Sequence, residues 1–464
     1  MALPSPVGAF RSSIAVPSLL GLVVAAASWV VPLSYDEGNW LAVVRRVAGG
    51  ETLYRDVTDN KSPVLFGLVR ALDVLPGPYV TARAALLGIA AVLIAWLASG
   101  TFVKAGFEAS SARVLGSAIG LAGAMQAVLV LNFEMPAALL IIGGIGLMAA
   151  RRDIAGGVMA GLAVTFDLRA TALLPGVLLI AIIGGDRGRA TRAAVSIAVP
   201  ALAWGVLVLA NGELRYSLLE LNVATRGGAT AWRPGAQLTA FARSMVFPVI
   251  AIAALTTRAN APGRWRTAPG AVVVAGGAIA ALISIQPFDK YWTLLLPGLI
   301  VVACARRPRA VSDRAKLAFL LCVALAPPAV YAATSSADQA RVVARYERAS
   351  ADVARMLGPG GTFVRFDSNP FLGTFLPSRD RTPAAVLDFL IAPTSRERLN
   401  LEAVDTALSN AAAMIDDGAL ALAAGNVLPS YRKLREVFVA HLSEFPCVRR
   451  TNGLTVRLRL GRCL

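Results

Sequence analysis

Histidine is nearly absent from this chain: His441 is the only one in 464 residues. A metal centre built from several imidazoles is therefore excluded. Cysteine is scarce as well. Four residues are too few for a disulfide framework, and none has the spacing of a zinc site. Charge is sparse, at 16% against 56% hydrophobic residues, with a mean hydropathy of +0.64. A water-soluble protein of this length carries about a quarter charged residues. Acids are the scarcer sign, 28 against 45 Lys and Arg, for a net charge of +17. That excess raises the question of a nucleic-acid partner. The cations, however, lie in short clusters between apolar runs, as the positive-inside bias produces, so no nucleic acid is expected.

What the sequence does have is apolar runs near the ~20 residues that cross a bilayer. Eleven spans are expected, at 12–34, 80–102, 113–131, 136–150, 154–167, 170–185, 193–210, 237–257, 269–286, 290–305 and 315–334. The fifth and sixth together also suit a kinked pair or one long tilted span. The first run lacks a small-residue cleavage site and is taken as an uncleaved span. Loops after even-numbered spans hold cation clusters such as Arg187, Arg189 and Arg192, whereas most loops after odd-numbered spans hold few. This asymmetry places the N-terminus in the cytoplasm and everything after the last span outside it.

The fold class expected is therefore mainly α: a polytopic membrane domain over 1–334, followed by a small extracytoplasmic α/β domain over 335–464. In that tail, residues 361–366 and 418–425 have strand character, 430–445 have helical period, and Asn452-Gly453 marks a hairpin turn. Such a turn sets Cys447 opposite residue 458. A bond from Cys447 to Cys463 would then need a bulge or chain reversal. Cys304 and Cys322 fall in apolar spans, as packing residues.

The first outer loop, 36–79, carries the chemistry. It opens on adjacent acids, Asp36 and Glu37, directly behind the first span. Trp40, Val43, Val44 and Val47 share one helical face, with Arg45 and Arg46 on another, the pattern of a helix in the membrane interface. Leu65, Leu68, Val69 and Leu72 repeat it in a second short helix. Between them, Ser62 is a cap and Pro63 a first helical residue, so a helix starts just after Lys61. A lysine beside a helix N-terminus suits a phosphate; the other reading is that Lys61 snorkels to the headgroups. The boundary acids are open to two readings as well. They are solvated or paired with Arg45, or one serves as the base that an acceptor hydroxyl needs.

This loop resembles the first-loop signature of integral-membrane GT-C glycosyltransferases, in particular the protein O-mannosyltransferase (family 39) and aminoarabinose transferase (family 83) groups. The matching positions are Asp36-Glu37, Gly50 with Tyr54, and Asp59, Lys61 and Pro63, with Ser62 where the family often has a second proline. Weaker similarities lie elsewhere. Glu134 matches a second outer acid or else caps the next helix; Arg169 stands where a basic phosphate contact is expected; Lys290 and Tyr291 match a segment facing the donor.

The resemblance implies a polyprenyl-phosphate-linked sugar donor, transfer on the outer face with inversion, and an acceptor that is glycan, lipid or protein. It assigns Asp36 and Glu37 to catalysis, and Tyr54, Asp59, Lys61, Glu134, Arg169, Lys290 and Tyr291 to substrate binding. No cofactor or metal is implied. The membrane expected is the bacterial inner membrane, whose lipids are the remaining partner. A flippase for a lipid-linked intermediate and a non-catalytic scaffold are the alternatives.

Overall fold

The computed structural model describes all residues except 1–5, 58, 126–130, 133, 184–186, 223–233, 245, 247–248, 251–252, 254–256, 259–263, 283–288, 309–313, 367–368, 384–394, 419, 421–431 and 463–464. The chain divides into two compact units. One comprises residues 1–31, 76–206 and 232–336; the other comprises 32–75, 207–231 and 337–464.

The first unit is helical. It contains α1 (Pro6–Val30), α4 (Tyr79–Lys104), α5 (Ala109–Met125), α6 (Glu134–Ala149), α7 (Asp153–Phe166), α8 (Leu174–Ile183) and most of α9 (Arg187–Ala210). Helices Pro234–Arg243, Arg264–Leu282 and Leu296–Cys304 follow, with a two-strand ribbon of β1 (Thr257–Arg258) and β2 (Arg307–Pro308). Every expected span overlaps a helix. Among the described residues, only Tyr79–Lys104 and Arg187–Ala210 are each long and apolar enough to cross a bilayer alone. The apolar helices Glu134–Ala149, Asp153–Phe166, Leu168–Ile183, Ala268–Leu282 and Lys290–Cys304 are too short to do so. The expected kink between 154 and 185 is real: Asp167 is extended (φ −142°, ψ 111°), and a 3-10 turn, Leu168–Leu173, leads into α8. A second 3-10 turn, Asp289–Leu295, leads into Leu296–Cys304.

Small residues let these helices approach. A Cβ on Gly88 would lie 2.7 Å from the Gly21 carbonyl oxygen, and one on Gly144 the same distance from that of Gly156. This is the packing that membrane helices use where lipid supplies no hydrophobic drive. The outward faces stay apolar, as at Val195, Val199, Leu202 and Val206 of α9.

The second unit holds α2 (Tyr35–Ala48) and α3 (Pro63–Val74), the short helix α10 (Gly212–Arg215) with a π-helical turn Tyr216–Glu220, and the C-terminal residues. Four strands, β3 (Phe363–Phe366), β4 (Ala413–Asp416), β5 (Cys447–Thr451) and β6 (Leu454–Leu458), form one sheet in the order β3-β4-β6-β5. β3 and β4 are parallel and the rest antiparallel. The expected hairpin is present. Asn452 and Gly453 both have positive φ (45° and 76°), as a tight two-residue turn requires, and Cys447 faces Leu458. Cys447 is disulfide-bonded, while Cys463 lies outside the described residues. Helices Glu397–Asn410 and Arg432–Ala440 pack Val404, Leu408, Leu434 and Phe438 on the sheet. The strand expected at 418–425 lies mostly outside the described residues; the strand found, β4, precedes it.

One expectation is corrected. Most of the face of α2 assigned to the membrane interface is turned into protein, and only Val47 of its four residues is exposed. Trp40, Val43 and Val44 are buried, and so are Leu41, Ala42 and Arg46. A Cβ on Gly38 would lie 2.6 Å from the Phe371 ring, and Thr374 Oγ1 donates to the Gly38 carbonyl at 2.7 Å. An amphipathic period reports that a face is covered, and lipid and protein cover it alike.

Candidate active site

The predicted residues fall into two groups, one in each unit. In the second unit, Ser34 caps α2. Its Oγ accepts the Glu37 N–H at 3.1 Å, and the Glu37 carboxylate accepts the Ser34 N–H at 3.1 Å. This reciprocal capping box occupies Glu37, whose side chain is fully buried. Asp36, one residue earlier, is half-buried in the first turn. The two adjacent acids therefore differ in position: one holds the helix start, the other lies at its edge.

The loop after α2 is built around Tyr54, which is buried with a left-handed φ of 69°. Its hydroxyl donates to the Lys61 carbonyl at 2.6 Å, and its N–H donates to the Val57 carbonyl at 2.8 Å. Burial, reinforced by the Asp59 charge, pushes the Tyr54 phenol up, so it stays a donor. Asp59 is buried. It accepts the Lys61 N–H at 2.9 Å and the Asn39 side-chain amide at 2.6 Å. Burial pushes its carboxyl up to about 6, against the pull of Lys61 and these hydrogen bonds, and the nearby Asp36 charge adds to the rise. Lys61 Nζ donates to Asn60 Oδ1 at 2.8 Å. Ser62 caps α3 by accepting the Val64 N–H at 3.2 Å, with Pro63 at the first position, as expected. Asp36, Tyr54, Asp59 and Lys61 thus belong to one loop-and-helix assembly.

In the first unit, the breaks described above collect the other group. Arg169 lies in the 3-10 turn after α7. It forms a fork with Asp167, at 3.0 and 2.9 Å, and reaches Glu134 at 2.8 Å. Its guanidinium stacks 4.1 Å from the centre of the Tyr291 ring, and Lys290 Nζ lies 6.0 Å from the same ring. Glu134, Arg169, Lys290 and Tyr291, from three separate segments, are brought together. Glu134 is the first residue of α6 and fully buried, and Asn132 just before it accepts the Met135 N–H at 2.7 Å. Asp167 was missed by the sequence reading. Its signal was an acid two residues from a candidate phosphate arginine, at the point where an apolar helical pattern breaks.

An arginine half-buried between two carboxylates, with a lysine and an aromatic face beside it, can exchange one of its acidic contacts for an incoming anion. The loop assembly holds the half-buried Asp36 carboxylate and the Lys61 ammonium, both of which act electrostatically on Asp59. Among the described residues no group of three or more metal-ligating side chains occurs.

This architecture defines a class: a mainly helical protein with apolar helices, two of them long enough to cross a bilayer alone among the described residues, and a small α/β domain. It is similar to the crystal structure of ArnT from Cupriavidus metallidurans in the apo state, at 15% identity over 95% of this chain and 97% of that one, with a TM-score of 0.56. ArnT from the same organism bound to undecaprenyl phosphate aligns over 94% of this chain and 76% of that one, at 17% identity and a TM-score of 0.44. No family model and no curated protein matches the sequence.

Proposed function

We propose that this chain is an inverting membrane glycosyltransferase that moves a sugar from a polyprenyl-phosphate donor to a hydroxyl acceptor. The observation that carries the reading is the convergence of Glu134, Arg169, Lys290 and Tyr291 in a chain of GT-C-like fold. In this reading the acceptor oxygen attacks the anomeric carbon, and the bond from that carbon to the phosphate oxygen breaks. The acceptor proton passes to the Asp36 carboxylate. The polyprenyl phosphate leaves with its new charge held by a basic side chain, Lys61 or Arg169. Tyr54 and Asp59 fix Lys61, and Glu37 fixes the helix start that carries Asp36. The reaction takes place on the outer face of the bacterial inner membrane, with the N-terminus cytoplasmic.

Broken helices with buried charges are also a device of transporters. The test is therefore run on purified protein in lipid discs and in vesicles, with a panel of polyprenyl-phosphate-linked sugars. Appearance of a glycosylated acceptor with release of polyprenyl phosphate supports the proposal. Movement of the lipid-linked sugar across vesicles without transfer marks a flippase, and binding with neither marks a scaffold.

A further inference from the structure

Lys61 is gripped from a part of the chain far away in sequence. Asn222 follows the π-helical turn Tyr216–Glu220, in which the Leu221 N–H reaches back to the Tyr216 carbonyl. A π turn shifts the residues after it by one position relative to a regular helix, and such turns are frequent at functional sites. This turn is itself held. Asn400 Nδ2 donates to the Tyr216 hydroxyl at 2.8 Å, and the Arg396 guanidinium covers the Tyr216 ring at 4.6 Å.

The shifted Asn222 meets Asn60. Its Nδ2 donates to the Leu218 carbonyl at 2.9 Å and to the Asn60 carbonyl at 3.2 Å. With its nitrogen committed to two carbonyls, its Oδ1 is left to accept Asn60 Nδ2, at 3.2 Å. That bond in turn fixes which end of the Asn60 amide faces Lys61: the oxygen, which accepts Lys61 Nζ at 2.8 Å. Each amide orientation is thus dictated by the one before it, which leaves no ambiguity of the usual kind over amide flips.

We infer that Asn222 and Asn60 form a two-amide relay that positions the Lys61 ammonium, making both residues positioning residues for the charge that develops on the leaving phosphate. The inference rests on the transferase reading for what Lys61 binds, but not for the relay itself. A neutral amide is suited to this task. It orients the ammonium without adding a counter-charge, which a carboxylate in its place would supply. Lys61 backbone groups are already held by Tyr54 and Asp59. The relay therefore controls the side chain, the most mobile part of the residue.

The two variants separate orientation from charge. Asn222→Ala frees Asn60 and leaves the Lys61 charge intact. It is expected to lower kcat by about ten- to a hundredfold through misplacement, with KM for the donor changed by less than about threefold. Asn60→Asp keeps an acceptor at the ammonium but pairs it, so KM for the donor rises. A merely structural role would depress both variants alike and lower thermal stability in proportion.

The experiment combines these kinetics with amine-reactive labelling of the intact protein in lipid discs, read residue by residue by mass spectrometry. Lys433, bonded to Glu397, is the internal control. In Asn222→Ala, labelling at Lys61 is expected to rise several-fold relative to Lys433. Unchanged labelling at Lys61 overturns the relay, whatever the activity. Faster labelling in a protein whose wild type transfers no sugar supports the relay and refutes the transferase reading.

Discussion

Asp380→Ala tests how α2, and with it Asp36, is held. Arg365 and Asp380 form a pair at 2.9 Å with both side chains 1% exposed. Arg365 also donates to the Asn369 carbonyl at 3.0 Å. Asp380 accepts the Thr382 N–H at 2.9 Å, and the Thr382 carbonyl accepts Arg46 of α2. Burial opposes ionisation of Asp380, but Arg365, then Arg46 and the Thr382 hydrogen bond, outweigh it and hold the carboxyl below the usual range. Removing the carboxylate leaves a buried guanidinium without its counter-charge, a loss of about 3–5 kcal/mol. The stability that Asp380 supplies is complete above the ordinary carboxylate pKa of about 4 and is lost as pH falls through its depressed native value. Thermal unfolding and limited proteolysis of the whole protein at pH 7 should show the change. In Arg365→Met/Asp380→Leu both charges are removed, so the double variant should be more stable than Asp380→Ala. A loss below about 1 kcal/mol in Asp380→Ala would refute the reasoning, because a pair this buried cannot be worth so little to break.

Arg169→Met should destabilise the first unit by about 3–5 kcal/mol, because it strands the buried Glu134, and adding Glu134→Gln should recover part of the loss in thermal unfolding. Asp59, raised to about 6, binds its proton more tightly folded than unfolded. Its contribution is thus full below about 4 and falls away as pH rises through 6, by about 2–3 kcal/mol in all. Asp59→Asn should flatten the stability profile in that window, and rotation of the Asn39 amide, whose Oδ1 is buried without a partner, can accommodate the new amide. Reporter fusions after Arg189 and after Ala440 should report opposite sides of the membrane; the same side for both would remove the proposed topology.

Local chemistry made much of this legible in the sequence. Ser62 and Pro63 announced a helix start, Asn452-Gly453 fixed the hairpin register, and Phe363–Phe366 read as a strand because two aromatic residues and a valine stand between turn signals, even with Arg365 among them. β4 was missed: all four of its residues are buried, so it lacks alternation, and four residues are too few to show a period. The site was legible residue by residue and not as an assembly. Glu134, Arg169, Lys290 and Tyr291 were each singled out, yet nothing in one sequence says that three distant segments converge. Asn222 was invisible for the same reason, since its role comes from a π turn and a partner 162 residues away. Glu37 was paired with Asp36 in sequence; only the capping geometry separates them.

That separation supplies the most direct test of the account. Sugar transfer and donor binding are measured in wild type, Asp36→Asn and Glu37→Gln, each shown to be folded. Glutamine can rebuild the capping box, so Glu37→Gln should keep most activity. Asp36→Asn removes the base, so transfer should fall by at least about 100-fold while donor binding persists. Full transfer by Asp36→Asn would contradict the central claim that this carboxylate takes the acceptor proton.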